Sequence, residues 1–248
     1  MSFSSVSSRL KPLLLLLALG AAARPALAQK KSKSAAAAAP AAAGPQRLQP
    51  LFGGVTPQQA QALVGAAMLA DIDRSFASRP EASKFFSDKG YEYLQENQPD
   101  TAAVRFNLAW ALDPQNAETY RGLAVLLSQR PGTSPDAVQA LLAQGLTVAP
   151  TSAPLLADAA TNTLSRYEQT KKKKDLQQAA DYAQRALAAD PNNAAAWQAQ
   201  AHIRYYQEDY AGAWQAVHKT QSLNLTGIDF QFLTELLAKA PDPEGKIK

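Results

Sequence analysis

The sequence predicts an all-α solenoid of about four right-handed helical hairpins, stacked between capping helices at the two ends. Three observations support this prediction. Alanine is abundant and β-branched residues are sparse, which favours helices. Apolar residues recur at helical spacing in paired segments, and a proline closes each pair except the last. The pattern of residues 83–114 returns three times downstream, which is typical of a repeat protein.

The first repeat shows the pattern most clearly when Pro114 is counted as position 32. Positions 4, 8, 11, 20, 24 and 27 are then Phe86, Gly90, Tyr93, Ala102, Phe106 and Ala109. These residues resemble the tetratricopeptide repeat family, whose 34-residue unit is a helix–turn–helix. Lys89 departs from the family pattern at position 7, where leucine is usual. The resemblance implies a binding scaffold, and it leaves the ligand open.

The N-terminal segment up to Ala28 is typical of a secretory signal peptide. Arg9 and Lys11 precede an apolar run at residues 13–23, which is shorter than the roughly 20 residues of a membrane span. The Ala-Leu-Ala sequence that ends this segment predicts cleavage before Gln29, which would leave no stable transmembrane span. The alternative is an uncleaved anchor. We expect export to the periplasm or cell envelope, in a Gram-negative bacterium.

Two segments separate the signal peptide from the repeats. Residues 29–55 are rich in Lys, Ala and Pro and have few large apolar side chains, which predicts a flexible tether. Residues 56–80 predict an N-terminal capping helix, in which Thr56 and Gln59 form a capping box and an apolar stripe continues to Phe76. An end repeat exposes one apolar face, so a solenoid needs such a cap.

The solenoid and its C-terminal capping helix are predicted to span residues 81–240. The three further repeats begin at Ala117, Ala153 and Ala194. The last repeat has Thr220 at position 27 and Leu225 at position 32, which fits a chain that runs into a closing helix at about 229–239. We expect the tail, residues 241–248, to be loose.

Composition and charge exclude several classes of function. The chain has no Cys and two His, so neither a thiolate nor a histidine metal cage is expected. We found no catalytic motif, and we expect a protein that is not an enzyme and takes no cofactor. The net charge of +4 includes seven bases before Leu51, where no acid occurs. From Leu51 onward 18 bases face 21 acids, a balance of −3, which argues against nucleic-acid binding.

The family resemblance implies a ligand groove on the concave face formed by the first helix of each repeat. Positions 2, 5, 9, 12 and 13 point to this face, and the predicted site residues are Lys84, Tyr91, Arg121, Gln198, His202 and Tyr205. Ala157 and Thr161 contribute from repeat three. A protein or peptide partner would lie there, with Arg121 holding an acidic residue. Alternatively, several of these side chains merely cover packed helices.

A second hypothesis is an envelope-surface adaptor that binds anionic lipid or glycan. It would use the Lys-rich tether and the run Lys171, Lys172, Lys173 and Lys174. The alternative without a binding function is that this run is a solvated loop or a frayed helix end. The carboxylate clamp with which some family members hold chaperone tails is absent, because Ser87, Tyr91 and Gly122 occupy its positions.

Overall fold

The computed structural model describes residues 44–223 and 229–247. The predicted signal peptide, residues 29–43 of the tether and Leu225 lie outside the described residues. Within those ranges the chain is helical, with a 3-10 turn at Pro45–Leu48 and a short helical turn at Leu51–Gly54 before the longer helices. The all-α fold predicted from the sequence is therefore confirmed.

Eleven longer α-helices follow in the part of the chain that the structure describes. They are α1 (Pro57–Val64), α2 (Ala66–Ser75), α3 (Arg79–Gln95), α4 (Pro99–Leu112), α5 (Ala117–Ser128), α6 (Pro135–Val148), α7 (Ala153–Thr170), α8 (Lys173–Ala189), α9 (Ala194–Tyr206), α10 (Tyr210–Leu223) and α11 (Phe230–Leu237). Helices α3 to α10 form four hairpins, and in each the first helix packs on the second. These hairpins are the four predicted repeats.

Side-chain caps fix where the helices begin. Thr56 and Gln59 form the predicted capping box at the start of α1. The side chain of Asn116 accepts a hydrogen bond from the N–H of Glu118, and Asn193 accepts one from Ala196. Each cap satisfies an N–H group that has no partner inside its own helix.

The first two repeats meet around the ring of Phe106, which is fully buried on α4. Gly90 of α3 and Gly122 of α5 both face this ring. A Cβ atom at Gly90 would lie 2.6 Å from a ring carbon of Phe106, and one at Gly122 would lie closer still. Glycine is therefore required on both sides of the ring, which confirms a close helix contact at Gly90.

A recurring hydrogen bond joins one repeat to the next. The Tyr120 hydroxyl donates to the carbonyl oxygen of Pro114 over 2.9 Å, and the Trp197 indole N–H donates to that of Pro191 over 2.8 Å. In both cases the side chain at position 4 contacts the proline that ends the preceding repeat. Leu156 holds position 4 in repeat three and has no polar group for this bond.

The N-terminal boundary differs from the prediction in two ways. The predicted capping helix is two helices, α1 and α2, because Gly65 between them adopts a φ of +91° that breaks the helix. The predicted tether ends earlier than residue 55. Leu51 and Phe52 are buried in the core. The side-chain amide of Asn107 donates to the carbonyl oxygens of Arg47 and Gln49, both over 2.8 Å.

The C-terminal tail is docked, and the prediction that it is loose is wrong for residues 241–247. Asp242 is buried, and its carboxylate accepts hydrogen bonds from the N–H groups of Lys246 and Ile247. The imidazole of His218 on α10 lies 3.0 Å from Asp242 and 2.9 Å from Glu244. Periodicity could not reveal this tail because it is held by polar contacts and by the single apolar side chain of Ile247. No described helix has the length and apolarity needed to cross a bilayer.

Candidate functional site

A cavity of about 260 Å³ opens between α5 and α7, the first helices of repeats two and three. Its floor is apolar and its rim is polar. The floor residues are Ala124, Val125, Val138 and Leu142, and the rim residues are Ser128, Asp158, Thr161, Asn162 and Ser165. We call this cavity and its rim the first-helix groove. It combines an apolar floor with hydrogen-bonding groups at its edge, as ligand sites commonly do.

Arg121 lies beside the groove, where it is bonded to the rim residue Asp158, and it does not stand free. Its Nε atom donates to Asp158 over 2.8 Å, and its Nη1 atom lies 3.5 Å from Glu118. Burial alone would lower the pKa of Arg121, but these carboxylates outweigh it and keep the guanidinium charged. The predicted contact to an acidic residue of a partner would therefore compete with two acids of the protein itself. Arg121 acts first as part of the wall that links α5 to α7.

Asp158 is the half-buried acid of this wall. Burial raises its pKa above the ordinary value, and the adjacent guanidinium of Arg121 opposes that rise. The pair places two partly covered charges at the groove edge, with side chains 31% and 24% exposed. Its main effect is to hold the two first helices in a fixed relation.

Tyr91 and Lys84 both lie on α3, the first helix of repeat one. The Tyr91 ring packs edge-on against Phe106, with 5.0 Å between centroids, and its hydroxyl donates to Glu118 over 3.0 Å. Burial raises the pKa of Tyr91. The Arg121 guanidinium lies 5.8 Å from the Tyr91 ring centroid. Lys84 is exposed and pairs with Asp88 over 2.9 Å. The structure thus brings Tyr91 and Arg121 together.

The predicted residues of repeat four have a different role. The His202 ring stacks on Phe232 of α11 with 3.9 Å between centroids, and the Tyr205 ring lies 5.5 Å from the same phenylalanine. Gln198 faces the narrow gap beside α11. Helix α11 therefore covers these three side chains, and no contact in the described residues joins them to Tyr91 or Arg121. The single wall expected from the sequence is divided into two clusters.

Sequence reasoning named Thr161 but missed most of the groove rim. Ser128 and Ser165 occupy positions 12 and 13, which the resemblance directs to the concave face. The selection favoured aromatic residues and arginine as interface anchors, so these small polar side chains were passed over. Asp158 lies at position 6, outside the set considered, and only its pairing with Arg121 shows its importance.

The lysine run lies where α7 ends and α8 begins. Lys171 adopts a left-handed conformation, with φ of +53°, and its ammonium group lies 5.4 Å from the ring centroids of both Tyr167 and Tyr206. Lys172 precedes α8 and the next two lysines are in its first turn. The run is therefore a helix junction with four exposed cations, of which Lys171 lies over two tyrosine rings. Among the described residues, no group of acidic or histidine side chains is placed to hold a metal ion.

Comparison with solved structures agrees with the fold, and comparison of sequences finds no related protein. No family model and no curated protein matches the chain. PilW, described as a widely conserved type IV pilus biogenesis factor, is 16% identical with a TM-score of 0.53, and the match covers 90% of each chain. MamA is 20% identical with a TM-score of 0.46, and the match covers 66% of this chain and 86% of MamA.

YrrB, described as a tetratricopeptide protein with an unusual peptide-binding site, is 13% identical with a TM-score of 0.43. That match covers 64% of this chain and 87% of YrrB. At such identities the match to PilW shows a shared fold alone, and the two weaker superpositions support nothing further. The helical-repeat solenoid predicted from the sequence is confirmed.

Proposed function

We propose that this protein is a non-catalytic protein–protein interaction scaffold of the cell envelope, which binds a peptide or a partner helix in the first-helix groove. The observation that carries the proposal is the cavity between α5 and α7, with its apolar floor and polar rim. Repeat stacks present extended concave surfaces, and such surfaces suit long, slender ligands.

The groove favours a partner with one apolar anchor and polar neighbours. A cavity of about 260 Å³ has room for a large side chain but not for a whole drug-sized ligand. The apolar floor would receive that side chain, and the hydroxyl and amide groups of the rim would bond the polar groups beside it. The envelope location rests on the signal-type N-terminal segment alone, and intact-mass analysis of exported protein tests it.

A photo-crosslinking experiment tests the groove. A photoreactive residue at Thr161, which is exposed at the groove rim, should crosslink a protein partner in native envelopes. The matched position is Gln144, which is exposed on the second helix of repeat two and should give no such product. Thr161→Trp should fill the cavity and prevent co-purification of the same partner, with the melting temperature nearly unchanged.

The same assay separates this proposal from the charged-adaptor hypothesis. Lys172, Lys173 and Lys174 changed together to Gln should leave the crosslinked partner bound. If the lysine changes abolish envelope binding and Thr161→Trp does not, the groove proposal is wrong and charge carries the interaction. A steep loss of binding with added salt would point the same way, since exposed charges are screened.

A further inference from the structure

A second and larger groove, of about 650 Å³, lies among α8, α9 and α10. Four glutamines line it together with apolar side chains at its base, and we call it the glutamine groove. The glutamines are Gln184, Gln200, Gln207 and Gln215. Leu187, Ile203 and Ala216 form the base, and the half-buried ring of Trp197 borders it.

The glutamine groove lies on the side of α9 that does not face α11. Helix α9 has two sides: Gln198 and His202 face α11, whereas Gln200 and Arg204 face α8 and α10. The groove results from the residues at repeat positions 7 and 11 of α9. Leucines fill these positions in repeat two, but Gln200 and Arg204 hold them in repeat four. Polar side chains that reach toward water leave the space between the helices open.

The groove has no net charge, and its glutamine side chains form no hydrogen bonds with other described residues. Arg204 and Asp209 pair over 2.7 Å, and Asp209 also accepts a hydrogen bond from the Gly212 N–H. No hydrogen bond joins any of the four glutamine side chains to another group in the described parts of the chain. Four amide groups, each a donor and an acceptor, therefore surround an uncharged cleft.

We propose that the glutamine groove binds an extended polypeptide segment with uncharged side chains, chiefly through the backbone of that segment. A glutamine amide can donate to a backbone carbonyl and accept from a backbone N–H. An extended chain offers such unpaired groups along its length, whereas a helix has already satisfied its own. The lack of free positive charge disfavours nucleic acid and anionic lipid.

A glycan is the main competitor for a groove with amides and a tryptophan. The Trp197 ring is half-buried, and its indole N–H is already bonded to Pro191. A half-buried ring offers less of its face for a sugar to stack on, which favours the polypeptide. The proposal is independent of the first-helix groove, since the two grooves share no residue.

The test uses the purified full chain and an acetylated, amidated peptide of about ten Ala, Pro, Ser and Leu residues, the length of an extended recognition segment. Titration followed by nuclear magnetic resonance should shift the side-chain amide signals of glutamine. Gln200→Leu and Gln215→Leu should each weaken binding about two- to ten-fold, the range expected for one hydrogen bond. Gln198→Leu, on the other side of α9, should leave the affinity unchanged.

Several outcomes would overturn the proposal. The first is that the glutamine amide signals do not shift at millimolar peptide. The second is that Gln198→Leu and Gln200→Leu lower the affinity equally. The third is that Gln200→Leu or Gln215→Leu tightens binding, as expected for a site that takes an apolar helix. Binding that requires Lys or Glu in the peptide would also contradict it. If a neutral oligosaccharide shifts the same amides and the peptide does not, the groove is a glycan site. Gln215 is exposed, so its variant tests the groove even if Gln200→Leu unfolds.

Discussion

At the scale of single residues, the ring of Phe106 packs against two glycines on different helices. Gly90 lies on one side and Gly122 on the other, in different repeats. The ring therefore fixes the distance within the first hairpin and between the first two hairpins. Tyr91 then packs on the edge of the same ring, so the position of Tyr91 beside Arg121 depends on this contact.

The first prediction concerns Gly90→Leu. The added side chain would overlap the Phe106 ring and force the two helices apart, at a cost of roughly 1–3 kcal/mol in the free energy of unfolding. Urea unfolding followed by circular dichroism measures it. Gly44→Ala is the control, because a Cβ atom there meets nothing within 4 Å. Equal stability of the parent and the leucine variant would contradict the packing around Phe106.

The second prediction concerns Tyr120→Phe. The Tyr120 hydroxyl accepts from the Trp110 indole N–H and donates to the carbonyl oxygen of Pro114, both over 2.9 Å. Because Tyr120 is buried, removal of the hydroxyl strands both partners and should cost about 1–3 kcal/mol of stability. Tyr93→Phe removes a hydroxyl that has no such bond to any described residue, and it should change stability by less than about 0.5 kcal/mol. Similar losses in both variants would disprove the special role of Tyr120.

Residue-scale prediction from the sequence succeeded where spacing decides the contact. Gly90 and Phe106 were placed correctly because small and large residues alternate at fixed repeat positions. The bond from Tyr120 to Pro114 and the pair of Asp158 with Arg121 were not predicted. Each joins residues of different repeats, and one-dimensional spacing does not specify which polar atoms of two stacked repeats will meet.

At the scale of helices, α11 decides which predicted groove residues are accessible. Its apolar side, with Phe232, Leu233 and Leu236 buried, closes the end of the solenoid. It packs on α9 as the first helix of a further repeat would. His202 and Tyr205 become contacts of the cap as a result, so the groove ends before repeat four.

The third prediction follows from the stack of His202 on Phe232. Burial lowers the pKa of His202 below its ordinary value of 6.5, although Asp229, Glu168 and Glu235 act in the raising direction. The docked cap therefore favours neutral imidazole. Its contribution to stability is complete above pH 6.5 and declines as the pH falls through and below that value, because undocked His202 takes up a proton first.

Hydrogen exchange at about pH 7 and about pH 5.5, corrected for intrinsic rates, should show weaker protection of α11 at the lower pH. His202→Phe keeps an aromatic ring on Phe232 and should remove most of this pH dependence. A cap that loosens equally in the parent and the variant would trace the effect to other groups. His218 is the other histidine beside the C-terminal segment, so His218→Gln serves as a second comparison.

Helix prediction was accurate because caps and periodicity are local signals. Thr56, Asn116 and Asn193 start their helices as expected. The break at Gly65 was missed because glycine is also tolerated inside helices, and the sequence alone does not show its positive φ. The docked tail was missed because it is held by the carboxylate of Asp242 and not by an apolar stripe.

At the scale of the whole molecule, polar and apolar segments outside the repeats close both ends of the stack. Residues 44–55 pack on α4 at one end, and α11 with the tail closes the other. A repeat stack is stabilised by contacts between neighbours, so its ends are where stability is lost first. Composition predicted a tether through residue 55 because buried Leu51 and Phe52 are isolated in a polar, proline-rich sequence.

The last prediction locates the start of the folded body with two truncations. Removal of residues 1–43 should leave the unfolding midpoint unchanged. Removal of residues 1–55 should lower the free energy of unfolding by about 3–6 kcal/mol, since burial of Leu51 and Phe52 contributes about 1.5–3 kcal/mol each. It also removes both carbonyl acceptors of buried Asn107.

Urea unfolding of both chains gives the comparison, and Leu51→Ala with Phe52→Ala in the longer chain should reproduce most of the loss. If the shorter chain unfolds at the same urea concentration as the longer one, residues 44–55 contribute nothing to the fold, and the tether predicted from the sequence extends to residue 55 after all.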